Sequence, residues 1–189
     1  MSKETPARKP YPSDLTNAPW TILEPLIPAA HTPHGGRPRV VDMREVMHTR
    51  LSLQRSGCQW DMLPHDLLPQ STVYDDVVRW RDDGMWATML AALREQTRRH
   101  AGREPSPRAA CIARPSVKTT EMGGAERGYD GGKKVKGRKR HLLVDTLGLL
   151  IVVLITRAGV DDGVAAPRLL QLIDPEDFPR LDTILADHK

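Results

Sequence analysis

The sequence predicts an α+β protein, in which a helical N-terminal half precedes a half that combines strands with a helix. All four tryptophans lie in the first half, at Trp20, Trp60, Trp80 and Trp86. From residue 101 onward the aromatic residues are Tyr129 and Phe178. Apolar residues recur at helical spacing in the first half and as short strand-like runs in the second. This contrast indicates two separate cores.

Length and composition narrow the class of protein. The chain has 189 residues, of which 39% are hydrophobic, which suits one medium domain or two small ones and excludes disorder throughout. Cys58 and Cys111 are too far apart in sequence for a CxxC site, so we expect no disulfide framework and a reducing cytoplasm. The longest apolar run, 147–155, has nine residues, about half of a membrane span. We therefore expect no membrane insertion, and the polar N-terminus predicts no secretory signal.

Local signals place four helices in the first half. Thr16 is expected to cap a short helix, with Leu15 packed on Trp20 as a hydrophobic staple. Asp42, followed three residues later by a glutamate, resembles a capping box and opens a helix that ends at Gly57. Ser71 is expected to cap the third helix, STVYDDVVRW, and the fourth runs between Gly84 and Gly102.

Short helices with a turn before Ser71 fit a helix-turn-helix, whose second helix enters the DNA major groove. The candidate DNA contacts on that helix are Ser71, Thr72, Tyr74 and Arg79. A small helical bundle of another function has the same pattern. The arm Gly-Gly-Arg37-Pro-Arg39 suits a narrow minor groove, and a Pro/Gly linker is the alternative interpretation.

The positive charge is concentrated in one segment. Residues 127–141, RGYDGGKKVKGRKRH, hold seven basic residues against the single acid Asp130, a local charge of +6 in a chain of net charge +4, so the remainder sums to −2. Four glycines predict a flexible or tightly turned loop that approaches phosphates, and a solvated surface is the alternative. The charge predicts a polyanionic partner, and the candidate contacts, which the resemblance described below assigns to DNA, are Lys118 before this segment and Lys133, Lys134, Lys136, Arg138, Lys139 and Arg140 within it.

The second half reads as three strands, a helix and a further strand. The strand-like runs are 109–112, 140–145, 149–156 and 181–187, and the helix is 164–173. This order is typical of the first half of an RNase H-like domain, in which a crossover helix returns the chain to a strand parallel to the first.

Several motifs resemble one family along nearly the whole chain, from about Tyr11 to Asp187. They are SDLTNAPWTILEPLIP, GGRPRVVDMREV, SGCQWDMLPHDL, STVY, RWRDDG, SVKTTE, RGYDGGKKVKGRKRHLLVDTLGLL and ILAD. These motifs are similar to those of bacterial insertion-sequence transposases of the DDE type, which move mobile elements by DNA recombination. The resemblance implies that an N-terminal helix-turn-helix domain binds terminal inverted repeats and an RNase H-like domain cuts and joins DNA.

The resemblance also implies organisation, cofactor and partners. We expect a disordered tail at 1–10, a helical DNA-binding domain at 11–102 and a partial RNase H-like domain at 103–189. The implied cofactor is Mg²⁺, because three carboxylates hold two metal ions that activate the attacking oxygen and stabilise the leaving one. The implied partners are double-stranded DNA and a second transposase chain, itself or an intact copy, at the bacterial nucleoid. No small-molecule substrate is implied.

The catalytic acids depart from the family pattern. The second acid of the triad, and its metal ligand, falls on Asp187, whereas the first-acid position is Ala113, followed by Arg114 and Pro115. The third acid would lie beyond Lys189, where the chain stops. We therefore expect a truncated copy that is catalytically defective and does not bind Mg²⁺ productively.

Other acids are poor replacements. Asp145 is expected in a strand-end or turn role, and Asp161 and Asp162 at a helix start, where the helix dipole favours acids. Glu121 and Glu126 lie in a Gly-rich stretch.

Further departures affect the DNA-binding half. Asp75 and Asp76 lie on the helix expected to face DNA, and Arg50 and Gln54 replace apolar residues, where burial is costly. Three hypotheses follow: a defective transposase, a non-enzymatic DNA-binding protein or transposition inhibitor derived from one, or a decaying gene product.

Overall fold

The computed structural model describes residues 8–27, 41–119 and 126–186. Within these ranges the protein is α+β, with five α-helices and a six-stranded mixed sheet. The chain divides into two compact units, residues 1–93 and 94–189. No helix in the described ranges is long and apolar enough to cross a membrane.

The first unit is helical. Its helices are α1 (Asn17–Leu23), α2 (Met43–Ser56), α3 (Gln70–Asp82) and the start of α4 (Met85–His100), with 3₁₀ turns at Glu24–Leu26 and Trp60–Met62. Their apolar faces meet in one core, and its buried residues are Leu23, Ile27, Val46, Met47, Val73, Trp80 and Met89. The predicted amphipathic helices therefore build the expected first core.

The ends of the helices show which of the predicted capping residues occupy cap positions. Asp42 caps α2, where its side chain accepts a hydrogen bond from the amide of Arg44, and Gly57 ends α2 in the left-handed region at φ 67°. Thr16 stands at the cap position of α1 without a side-chain cap bond. The prediction for Ser71 is wrong, because α3 begins at Gln70 and Pro69 occupies its cap position.

The second unit is built around one long strand. Its elements are β1 (Ala109–Ala113), β2 (Ser116–Lys118), β3 (Gly128–Asp130), β4 (Val135–Asp145), β5 (Leu150–Arg157), α5 (Asp162–Leu170) and β6 (Thr183–Ala186). β4 pairs antiparallel with β1 and β2 along one edge and with β3 and β5 along the other. β6 returns parallel to β1, with Ala110 opposite Ile184, as the strand order predicts.

The basic segment is not the loop that its glycines suggest. It forms β3, a turn at 131–134 and the first half of β4. Burial alternates along β4, so that Gly137, Lys139 and His141 are buried between more exposed neighbours. The two-residue period of a strand therefore applies, with polar residues rather than apolar ones at several inward positions.

The core of the second unit lies between the sheet and α5. Its buried residues are Ala110, Leu143, Ile151, Leu169 and Phe178. On the opposite side of β5, Val153 and Ile155 are 40% and 55% exposed, as expected for an apolar strand that lacks cover on one face.

Candidate functional site

A pocket of about 450 Å³ lies at the end of β1, where the first catalytic acid is expected. Ala113 and Arg114 line it from β1 and the residue that follows. Asp130 lines it from β3, Lys139 from β4 and Asp162 from the first turn of α5. The sheet and the crossover helix thus bring two acids and three cations together. The acids are Asp130 and Asp162, and the cations are Arg114, Lys133 and Lys139.

Two cations hold Asp162. The Lys139 ammonium lies 3.1 Å from Oδ1 of Asp162 and also donates to the carbonyl of Val160 at 2.9 Å. Nη1 of Arg114 lies 2.9 Å from Oδ2 of the same carboxylate. Because the Lys139 residue is only 6% exposed, its charge faces the pocket instead of the solvent.

Asp130 is held on a different side of the pocket. Its Oδ2 accepts a hydrogen bond from Ser116 Oγ at 2.6 Å, and its Oδ1 accepts one from the backbone amide of Lys133 at 3.0 Å. The hydrogen bond from Ser116, that amide and the charge of Lys139 lower the pKa of Asp130 to about 2. Asp130 is therefore an anion at neutral pH, and Lys139 Nζ lies 3.9 Å from it.

His141 lies two residues further along β4 and is fully buried. One ring nitrogen, Nε2, is 3.0 Å from Thr156 Oγ1 on β5. Burial lowers the pKa of His141, and the positive charge of Lys139 acts in the same direction. The neutral imidazole is thus favoured beside the pocket's cations.

Two other acids of the second unit have structural roles. Asp145 is buried at the end of β4 and forms an ion pair with Arg98. Its Oδ1 accepts hydrogen bonds from the backbone amides of Leu147 and Leu149 at 2.8 and 2.9 Å. Asp161 caps α5 through the amide of Gly163. Both interpretations from the sequence are confirmed.

Basic side chains collect on the opposite face of the sheet. Lys136, Arg138 and Arg140 alternate with the buried positions of β4, and Arg157 of β5 stands opposite Arg138. We call these four residues the basic sheet face. The carboxylate of Glu126 lies 3.4 Å from Arg157, and the backbone carbonyl of Glu126 accepts a hydrogen bond from Arg138.

The other cationic candidates of the second unit lie outside this face. Lys118 is exposed at the end of β2, opposite Gly137. Lys133 and Lys134 are exposed in the turn between β3 and β4, where Lys134 has φ 53° and the Lys133 ammonium donates to the carbonyl of Arg114.

Helix α3 presents only some of the residues expected to face DNA. Ser71, Tyr74 and Arg79 are exposed, whereas Thr72 is half-buried. Asp76 does not face solvent, because it is 3% exposed and lies 3.7 Å from Arg79. Of the adjacent acids Asp75 and Asp76, Asp75 is therefore the exposed one.

The two polar replacements on α2 are not buried either. Arg50 is half-buried and Gln54 is exposed, and both line a groove of about 370 Å³ with Tyr74 and Trp86. The expected burial cost does not arise at these positions, since both side chains reach solvent.

Several sequence candidates lie outside the described residues. These are Arg37, Arg39, Glu121 and Asp187. Their predicted roles stay predictions.

Comparison with protein families gives two matches that together cover most of the chain. The model "Putative transposase of IS4/5 family" matches residues 15–90, and the model "Transposase DDE domain" matches residues 96–188. The chain belongs to the insertion-sequence transposases of the DDE type. DNA transposition is the function of this family, and DNA is its partner. No curated protein and no solved structure matches the chain.

DDE transposases generally use a divalent metal ion. The first-acid position is Ala113, which has no ligand atom in its side chain. Asp130 and Asp162 are already engaged by Ser116, Arg114 and Lys139. Among the described residues, no group of three or more His, Cys, Asp or Glu side chains is placed to hold a metal.

Sequence reasoning missed the interior role of Lys139 in this transposase. Its signal was the period-two alternation from residue 135 to residue 145, which places Lys139 on the same side as His141 and Leu143. The partnership of Arg114 with Asp162 had no local signal, because 48 residues separate the two in sequence.

Proposed function

We propose that this transposase chain binds double-stranded DNA without cutting it. The observation that supports the proposal is the basic sheet face, on which Lys136, Arg138, Arg140 and Arg157 form one cationic surface on two adjacent strands. Such a surface attracts backbone phosphates and releases their counterions. The phosphate contacts position the DNA, and exposed residues of α3 read its sequence.

Each unit has its own part in this proposal. Residues 11–102 act as the DNA-binding domain, with Ser71, Tyr74 and Arg79 on the side of α3 that enters the major groove. Residues 103–189 act as the RNase H-like part and hold the backbone. The target is the terminal inverted repeat of an insertion sequence, bound at the bacterial nucleoid.

Cleavage is lost because the first catalytic carboxylate of the family is replaced by an alanine. Phosphodiester cleavage in this family depends on carboxylates that hold Mg²⁺, and Ala113 supplies none. Arg114, next to it, adds a positive charge that repels a metal ion.

A second role follows from the same observation. A chain that occupies terminal repeats without cutting them blocks an intact transposase by competition or by pairing with it. Ala113 favours this inhibitory role over transposition by the chain alone.

Fluorescence anisotropy of a labelled duplex tests DNA binding through the basic sheet face. The variant Arg138→Gln/Arg140→Gln should weaken binding and reduce the slope of log K against log salt by about 2. The control Arg168→Gln/Arg180→Gln removes the same charge from other exposed positions and should bind like the wild type. Equal affinity of both variants would contradict the proposed surface.

Repeat and scrambled duplexes test the target. Specific binders typically prefer their site by about 10³-fold or more. Equal affinity for both duplexes over a salt series would remove the terminal-repeat proposal and leave non-specific DNA binding.

A further inference from the structure

We propose that the groove between α2 and α3 binds an acidic peptide segment of a partner protein. The groove has a volume of about 370 Å³ and lies within the helical first unit. The ligand that fits it is a carboxylate side chain beside an aromatic or aliphatic anchor. The inference does not rest on the proposed function, although Tyr74 belongs both to this groove and to the exposed side of α3.

The spacing of residues on the helices forms the groove. Arg50 and Gln54 are four residues apart on α2 and therefore share one face of that helix. Residues of α3 at the spacing i, i+3, i+4 and i+7 also share one face and line the groove from that helix. They are Tyr74, Val77, Val78 and Arg81, and Trp86 at the start of α4 completes the lining.

Two aromatic rings of the groove are held in place before any ligand arrives. The Trp86 indole donates from Nε1 to the carbonyl of Val77 at 3.2 Å, and its ring packs edge-to-face on Trp80 with centroids 5.4 Å apart. Tyr74 packs edge-to-face on Trp60 at 6.1 Å and keeps 49% of its surface exposed. Positioned aromatic rings offer a large apolar area at low entropic cost, so they suit an aromatic or aliphatic anchor.

The polar side chains of the groove favour a carboxylate. The described lining residues include two arginines and no acid. Arg81 already pairs with Asp82 at 2.8 Å. In the part of the chain that the structure describes, the side chains of Arg50 and Gln54 have no hydrogen-bond or ion-pair partner. A half-buried guanidinium such as that of Arg50 presents a planar fork of donors, which matches the two oxygens of a carboxylate.

Composition and extent favour a protein partner over other ligands. Tryptophan, tyrosine and arginine dominate the binding energy of protein–protein interfaces, whereas lysine and acidic residues are depleted there. The described lining of the groove has all three of the former and none of the latter. Apolar surface also continues beyond the groove, because Trp60 contacts Tyr74 and Met62 of the same 3₁₀ turn is 72% exposed. A peptide covers both areas, whereas a small molecule fills only the groove.

Fluorescence anisotropy of three labelled pentapeptides with the full chain tests the proposal. The acidic peptide is Glu-Asp-Phe-Glu-Leu, its amide analogue is Gln-Asn-Phe-Gln-Leu, and its truncated analogue is Glu-Asp-Ala-Glu-Leu. The acidic peptide should bind about tenfold more tightly than either analogue, since each analogue lacks one of the two recognised groups. No binding of the acidic peptide at about 1 mM, or equal affinity for all three peptides, would overturn the proposal.

Two variants and one control place the ligand in the groove. Arg50→Gln should weaken the acidic peptide about tenfold and leave the amide analogue unchanged, because only the acidic peptide offers a carboxylate. Tyr74→Ala should weaken both peptides that contain phenylalanine. Arg168→Gln removes a positive charge from the exposed side of α5 and should change none of the three affinities. Wild-type affinity of Arg50→Gln for the acidic peptide would overturn the proposal.

Two further probes separate the peptide from other occupants. Phenylacetate carries a ring and a carboxylate without a peptide, and it should bind about tenfold more weakly than the acidic peptide. Equal affinity would identify a small aromatic acid as the ligand and overturn the proposal. A labelled duplex is the second probe, and Arg50→Gln should lose less affinity for it than for the acidic peptide. An equal or larger loss for the duplex would assign the groove to DNA and overturn the proposal.

Discussion

The ammonium nitrogen of Lys139 lies 3.1 Å from Oδ1 of Asp162, a partly buried ion pair that joins the central strand β4 to the first turn of α5. Asp162 also forms an ion pair with Arg114, the residue that follows β1. This one carboxylate therefore ties together three elements at the place where the family's chemistry is expected. Asp162 is thus the partner of two cations. The other described acid that lines the pocket is Asp130.

Gly137 permits the close approach of β2 to β4. A Cβ at this position would lie 2.0 Å from the carbonyl oxygen of Val117 and 2.9 Å from its carbonyl carbon. We expect Gly137→Ala to destabilise the second unit by about 3 kcal/mol, the upper part of the range for overpacking, because backbone atoms have to move. Urea unfolding followed by far-UV circular dichroism measures this loss.

Gly131→Ala is the matched control for that variant. A Cβ there would meet no atom within 4 Å, so the free energy of unfolding should change by less than about 0.5 kcal/mol. Similar losses in both variants would contradict the close approach at Gly137.

Asp42 and Thr16 occupy equivalent cap positions with different contacts. The Asp42 carboxylate accepts a hydrogen bond from the backbone amide of Arg44 at 2.8 Å, whereas the Thr16 side chain makes no cap hydrogen bond. Asp42→Ala should cost about 1 kcal/mol of stability, and Thr16→Ala only a few tenths. Tryptophan fluorescence during urea unfolding measures both, because all four tryptophans lie in the first unit. An equal cost for the two variants would refute this assignment.

Arg98 neutralises the buried carboxylate of Asp145. Arg98→Met would leave that carboxylate buried without its guanidinium, which should cost about 3 kcal/mol, the lower end of the range because the amides of Leu147 and Leu149 remain. Arg99→Met, its exposed neighbour, should cost about 0.5 kcal/mol or less. Far-UV circular dichroism in urea compares the two, and a neutral Arg98→Met would show that the pair is dispensable.

The buried His141 gives stability a defined pH dependence. Its pKa is lowered from the ordinary 6.5 by burial, so the unfolded chain binds a proton at a pH where the folded chain does not. Its contribution is therefore complete above about pH 6.5 and is lost as the pH falls below that value. Thermal unfolding midpoints between pH 7 and 5.5 should fall more for the wild type than for His141→Gln. A midpoint that falls equally in both proteins would exclude His141 as the cause.

Much of the fold follows from local signals in the sequence. Asp42 and Gly57 bound α2 because capping depends on residues next to the helix end. The parallel return of β6 to β1 follows from the strand order and the crossover helix between the strands. The predicted cap at Ser71 is wrong because Pro69 occupies the N-cap position of α3.

The candidate site was harder to predict because its contacts are distant in sequence. Lys139 and His141 occupy inward positions of β4 that are usually apolar, so the alternation was hidden in a run of basic residues. Arg114 and Asp162 meet only after the sheet and α5 have assembled. The position of Ala113 followed from the family motif, whereas the cations around it required the structure.

DNA binding and cleavage measured in one sample test the central claim most directly. Supercoiled plasmid is incubated with the full chain and Mg²⁺ or Mn²⁺ under conditions in which anisotropy shows the DNA to be bound. We predict bound and intact plasmid with either metal, because Ala113 supplies no carboxylate. Metal-dependent nicking that Asp187→Ala abolishes would contradict the account.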